Sequence, residues 1–140
     1  MRVLFDTDFL IDFLLDRAPF SERAADLLSR VDRGELQGLA CANSFTTIFY
    51  LARKATGVEA ARTFVADLLT LLEVAPVSRT TLEEAGKSSI GDYEDAVVCA
   101  AARQANADCI VTRNERDFVN SPVLAYSPTA LLAALATRSG

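Results

Sequence analysis

Histidine is absent from all 140 residues. Ser-His-Asp and Cys-His relays pass their proton through an imidazole, so neither mechanism is open to this chain. Cysteine is scarce: Cys41, Cys99 and Cys109 form an odd set with no Cys-x-x-Cys pair. Each lies in an apolar stretch, so buried free thiols and a reducing cytoplasm are expected. A structural zinc site lacks both its ligands and their usual spacing. No apolar run approaches the ~20 residues of a membrane span. No charged-then-apolar leader precedes the first strand-like segment, so secretion is not indicated. Positive charge is short too, with 14 Lys and Arg against 19 Asp and Glu and a net charge of −5. Non-specific nucleic-acid binding rests on phosphate neutralisation. An acidic chain that acts on nucleic acid must therefore offset the repulsion with bound metal and a few local arginines. A basic partner protein suits the same charge.

Acid is present in three places, each just past or beside an apolar segment. They are Val3-Leu4-Phe5-Asp6-Thr7-Asp8, then Gly91-Asp92-Tyr93-Glu94-Asp95-Ala96, then Thr112-Arg113-Asn114-Glu115-Arg116-Asp117-Phe118. Carboxylates without imidazole suit a hard divalent cation such as Mg²⁺ or Mn²⁺, which takes oxygen ligands and commonly works on phosphate esters.

The composition, 51% hydrophobic and 24% charged over 140 residues, predicts one domain (1–140) with a filled core. Strands are expected near 3–5, 36–41, 73–77, 108–112 and 122–126, and helices near 8–15, 21–33, 43–55, 58–72, 80–87, 92–106 and from 128 onward. Ser21 is the expected cap of the second helix, and Asn43 or Ser44 of the third. In the 58–72 helix, Ala61, Phe64, Val65, Leu68, Leu69 and Leu72 share one face. Strands alternate with helices and no Asn-Gly or Asp-Gly hairpin intervenes, so the fold class is α/β, with a parallel sheet covered on both faces. In such sheets ligands bind beyond the carboxyl ends of the strands, where Asp6 and the pair Asn114 and Asp117 can meet.

Each acid has a plainer reading. Asp6 reads plainly as the N-cap of the next helix, but Asp8, immediately before Phe9-Leu10-Ile11, is better placed for that cap, which leaves Asp6 for the site. Asp92 and Asp95 stand three apart on one helical face, where they also make a capping box worth roughly 1 kcal/mol. Asp117 and Asn114, interleaved with Arg113 and Arg116, read either as a surface ion-pair cluster or as oxygen ligands beside phosphate-binding arginines. Crowding separates the readings. Two carboxylates ~4 Å apart repel by about 1 kcal/mol in water and about 4 at an effective dielectric of 20, so convergence calls for a cation or a raised pKa.

The order of these pieces, with Ser44-Phe45-Thr46-Thr47-Ile48-Phe49-Tyr50-Leu51-Ala52-Arg53-Lys54 between the first two, resembles the PIN-domain ribonucleases, in their VapC-like toxin branch. No single motif is specific, but the ordered set spans nearly the whole chain. The resemblance implies a PIN-like three-layer α/β/α fold with four or five parallel strands. It implies a Mg²⁺- or Mn²⁺-dependent endoribonuclease that hydrolyses RNA phosphodiesters. Asp6, Asp95 and Asp117 would be catalytic, with Asp92 joining them as a metal ligand. Thr47, Asn114 and Thr7 would be auxiliary polar residues, and Arg113 and Arg116 phosphate contacts. A small antitoxin with a basic segment is implied as partner. A homodimer is expected from the same family and from the apolar surface of Phe64, Leu68, Leu69, Leu72 and the terminal Ala-Leu-Leu-Ala-Ala-Leu. One departure stands out. The family's glutamate early in the third helix is replaced in Ser44-Phe45-Thr46-Thr47-Ile48, with Thr47 expected at its position, as in a subgroup that also carries Asn in Thr-Arg-Asn.

Two alternatives stay open. Asp6-Thr7-Asp8 also resembles the Asp-x-Asp motif of haloacid-dehalogenase-like phosphatases, with Asp6 as nucleophile and Asp8 as acid/base, although Gly86-Lys87-Ser88-Ser89-Ile90 is not the apolar strand that such a site needs before Gly91. The missing glutamate also fits a catalytically silent PIN-like module.

Overall fold

In the computed structural model, which describes residues 1–139, five strands form one fully parallel sheet. They are β1 (Arg2–Phe5), β2 (Gln37–Cys41), β3 (Glu73–Ala75), β4 (Cys109–Val111) and β5 (Leu124–Tyr126), in the order β3-β2-β1-β4-β5. Helices α1 (Thr7–Leu14) and α2 (Phe20–Asp32) join β1 to β2, and α3 (Ala42–Thr56) and α4 (Val58–Leu71) join β2 to β3. Helices α5 (Arg79–Gly86) and α6 (Tyr93–Gln104) then return the chain to β4, and α7 (Pro128–Ser139) follows β5. The expected α/β/α architecture is present, with five strands.

Alternation along the strands sorts the core into two layers. Val3, Phe5, Ala40, Cys109 and Val111 point into the layer holding buried residues of α1, α2, α3 and α4. Leu4, Leu39, Cys41 and Ile110 point the other way, against α5 and α6. Helix α6 is buried on every side from Ala96 to Ala102. Its run of alanines lets it lie close to both the sheet and α5, which explains why no clean amphipathic stripe marks it. Gly38 serves the opposite layer: a Cβ there would stand 2.6 Å from Leu72 Cδ2 and 3.1 Å from both Phe5 and Val31.

The expected elements are all present, although β3, β4 and β5 are shorter than expected and the caps of several helices differ. Pro19, not Ser21, precedes α2, because the carbonyl of Arg17 already takes the backbone N–H groups of Phe20 and Ser21, each at 2.9 Å. Strand β2 runs straight into α3, so Cys41 holds the cap position while Asn43 and Ser44 lie in the first turn. On α4, Ala61 and Leu68 are buried as expected, but Leu69 is 49% exposed. Cys41, Cys99 and Cys109 are buried free thiols, and no helix among the described residues is long and apolar enough to cross a membrane.

Candidate active site

The sheet's switch point lies between β1 and β4. From β1 the chain builds outward to β3 and then returns to β4 on β1's other side, leaving a crevice at the carboxyl ends of these two strands. Backbone and side chain both bridge it. The Asp6 N–H donates to the Val111 carbonyl at 2.9 Å. Thr112 Oγ1, the first residue after β4, donates to Asp6 Oδ2 at 2.9 Å. Asp6 Oδ1 accepts from the Thr7 N–H at 2.9 Å and caps α1.

That geometry corrects the division of labour read from the sequence. The helix starts at Thr7, directly after β1 ends at Phe5, so only Asp6 remains to cap it. Asp6 is both cap and buried site residue. Asp8, expected to cap, sits in the first turn and lines the cavity with Asp6 and Asp95. Asn114 Nδ2 donates to Asp8 Oδ2 at 2.6 Å, while Asp8 Oδ1 is buried with no hydrogen-bond partner.

A cavity of about 360 Å³ opens between the two helical layers. Its walls include Asp6, Thr7, Asp8, Ser44, Thr47, Asn114, Asp95 and Arg17, with Leu51, Leu82 and Tyr93 as apolar wall. Asp95 reaches it because Asp92 caps α6, accepting from the Asp95 N–H at 3.0 Å, so the capping role expected for Asp92 is present. Asp117 stands apart from this cavity. It is exposed on the short 3₁₀ turn Glu115–Phe118 and lines an adjoining hollow with Asp92, Asp95 and Arg116. Asp95 belongs to both.

The carboxylates carry the strain of that gathering. Burial first, then the charge of Asp8, pushes Asp6 up to about 7, against the lowering effect of its bonds from Thr112 and Thr7. Burial, then Asp92, Asp117, Asp8 and Glu94, raises Asp95 to about 6. Burial raises Asp8 as well, opposed by the nearby Arg113.

The arginines divide differently from the expectation. Arg113 Nε lies 3.2 Å from Oδ2 of the buried Asp12, and its guanidinium packs over the Phe20 ring at 5.0 Å. Its Nε lacks hydrogen-bond alignment, so the pair is held by charge rather than by a directed bond. Arg116 lines the hollow beside Asp117. The cation that lines the main cavity is Arg17, half-exposed and 3.7 Å from Asp12 Oδ1. Sequence reasoning missed Arg17, for it follows α1 in a stretch with no periodic signal. Asp8 was visible as one of two acids four apart on α1 with Asp12, but the cap reading took it.

On α3, Thr47 lines the cavity and its Oγ1 donates to the Asn43 carbonyl at 3.4 Å. Ser44, one turn earlier, is buried with its Oγ 2.6 Å from Thr7 Oγ1. Thr47, expected at the position of the family's glutamate, and Ser44 thus bring two neutral hydroxyls to the cavity.

Among the described residues no three Cys, Asp or Glu side chains close tightly enough to form an all-protein metal cage. The donor set suits a different mode. It is all oxygen, it includes one buried carboxylate oxygen without a partner, and it holds two carboxylates raised first by burial and then by neighbouring acids. Mg²⁺ commonly binds through one or two carboxylates and keeps several waters, a mode these residues fit.

The chain belongs to the PIN domain family, whose model matches residues 2–116. Its fold is similar to a chain of the VapBC2 complex of Rickettsia felis bound to a promoter DNA fragment, with a TM-score of 0.70 and 16% identity over 91% of this chain and 98% of that one. A chain of a toxin–antitoxin complex from Klebsiella pneumoniae is similar at a TM-score of 0.68 and 22% identity, covering 90% and 97%. So is VapC20 of Mycobacterium tuberculosis, a toxin that cleaves the sarcin–ricin loop, at 0.61 and 16%, covering 77% and 86%. No curated protein matches the chain.

Proposed function

We propose that the chain, as one PIN-like unit over residues 1–140, is a Mg²⁺- or Mn²⁺-dependent endoribonuclease and the toxin of a toxin–antitoxin pair. The observation that carries this reading is the cavity at the sheet switch point, which Asp6, Asp8 and Asp95 line together. Asp6 and Asp95 would hold the ion, with Asp8 beside them; when bound, the ion supplies an activated water and offsets charge on the scissile phosphate. Thr112 and Thr7 fix the Asp6 carboxyl, so its oxygens keep one orientation. Asn114 does the same for Asp8. Arg17 offsets the charge of an incoming phosphate in a cavity that otherwise repels it. Asp117 and Asp92, which together raise Asp95, orient water or a second ion at the adjoining hollow. Thr47, at the position where the family usually carries a glutamate, binds water with Ser44 beside it. Arg116 is placed to meet the substrate backbone, whereas Arg113 serves Asp12.

Partners follow from the charge. The acidic cavity suits a basic side chain of a small antitoxin, as the complexes of similar fold suggest, and exposed Leu69 on α4 belongs to a surface suited to a homodimer. Three unpaired thiols fit a reducing cytoplasm. The phosphatase alternative lacks its second strand, since residues 87–92 form only turn and bends before α6.

The test is cleavage of structured RNA by purified protein with Mg²⁺ or Mn²⁺, against Asp6→Asn. Metal-dependent products that vanish with Asp6→Asn support the reading. Metal binding without cleavage would favour a silent module, and wild-type activity in Asp6→Asn would remove Asp6 from the mechanism.

A further inference from the structure

We propose that the exposed ring of Tyr93 is a stacking platform for one unpaired base of the RNA substrate, next to the phosphate held at the carboxylates. The inference rests on the ribonuclease reading and deepens it by assigning the residue that holds the nucleotide flanking the cut.

Tyr93 opens α6, two residues before Asp95, and lines the same cavity as Asp6 and Asp8. It is 52% exposed, so much of the ring is open to solvent. Its hydroxyl donates to the Leu82 carbonyl on α5 at 3.0 Å, which pins the ring between two helices. Leu82, itself 41% exposed, lines the cavity beside it. Among the described residues no other ring stacks on Tyr93 and no cation sits over it. A flat apolar surface is therefore held in place, open, and within the cavity that holds the carboxylates.

The electrostatics favour a base as its occupant. The cavity is strongly negative, so every phosphate that enters needs a counter-charge, and Arg17 is the cation in its lining. A nucleobase is neutral and stacks without that penalty. Every base offers a π-face, so the platform tolerates sequence but not pairing: in a helix both faces of a base are covered by its neighbours. The pinned hydroxyl lowers the ordering cost, because the ring already holds its orientation before RNA arrives.

The test uses full-length protein carrying Asp6→Asn, in chelator, so that RNA binds without being cut and the ring is read apart from any bound ion. A 12-nucleotide single-stranded RNA with one 2-aminopurine is titrated, beside the same RNA annealed to its complement. Stacking is expected to quench the fluorophore in the single strand and not in the duplex. Adding Tyr93→Ala should weaken single-strand binding about 5- to 150-fold and abolish the quench. Tyr93→Phe, which keeps the ring and loses only the bond to Leu82, should keep the quench and bind more weakly than the parent but more tightly than Tyr93→Ala, which guards against a folding artefact. In the cutting-competent protein, Tyr93→Ala should raise KM more than it lowers kcat. Equal affinity and quench in Tyr93→Ala would overturn the platform while leaving the nuclease intact. Wild-type protein that cuts no RNA, together with an Asp6→Asn parent that binds none, would overturn the nuclease reading and this proposal with it.

Discussion

Thr112 Oγ1 donates to Asp6 Oδ2 across the sheet switch point, a buried bond between residues 106 positions apart that ties the end of β4 to the end of β1. It fixes the deepest carboxylate of the cavity and stabilises the charged form of a group that burial drives toward protonation. Thr112→Val, similar in shape, leaves that carboxylate without the donor. The expected cost is about 1–3 kcal/mol near pH 8, where Asp6 is ionised, and less near pH 5, where it holds its own proton. Urea unfolding at the two pH values measures the difference, and Thr112→Ser should restore most of it.

Asp6 itself should respond to pH in the opposite sense from an ordinary salt-bridged acid. Its carboxyl rises from 3.8 to about 7 on folding, and Asp95 rises to about 6. A raised folded-state pKa means that the native state binds the proton more tightly. The contribution is full below about pH 4 and is lost as pH rises through about 6 to 7. Metal-free protein should therefore lose stability across that window. Asp6→Asn keeps an oxygen acceptor for the cap and removes the charge, so in chelator it should melt a few degrees above wild type near pH 8 and match it near pH 4. A wild-type melting curve that climbs across the window would contradict the assignment.

Arg17 and Arg113 should separate by readout. Arg113 lies beside buried Asp12, and Arg113→Ala should cost about 1–3 kcal/mol of stability by leaving that carboxylate poorly compensated. Arg17 is half-exposed and more distant from Asp12. Arg17→Ala should change stability by less than about 0.5 kcal/mol, raise KM for RNA and flatten the salt dependence of binding. Denaturant melts and cleavage assays at several salt concentrations distinguish the two.

Gly38 is the packing test of the fold. A methyl group there would meet Leu72, Phe5 and Val31 together, all buried, so none has open space to yield into. Gly38→Ala should destabilise by about 1–3 kcal/mol through overpacking, with the cavity chemistry unchanged once folded. Chemical denaturation against cleavage activity checks both halves.

The fold was legible because apolar strands alternate with helical periodicity, and Val3-Leu4-Phe5 and Cys109-Ile110-Val111 are short and apolar enough to be buried on both faces. Asp6, Asp95 and Asn114 were legible as cavity residues because each sits where a β–α connection or a capped helix opens toward the strand ends. Three features escaped for physical reasons. Asp6 caps α1 because β1 meets the helix with no spare residue, and local pattern does not reveal loop length at that resolution. Asp117 lies in a separate hollow because the 3₁₀ turn carries it past the cavity, and spacing in a loop says nothing of direction. Arg17 lines the cavity through tertiary packing of α1, while Arg113, nearer the acidic motif in sequence, is drawn to Asp12.

The central claim is that the negative cavity at the switch point binds a divalent cation through Asp6 and Asp95. Calorimetric titration of the metal-free protein with Mn²⁺ near pH 7.5, paired with melting curves, tests it directly. Binding heat and a rise in Tm that disappear in both Asp6→Asn and Asp95→Asn are the outcome expected. No heat and an unmoved Tm in wild type, or equal stabilisation in the two variants, would contradict it.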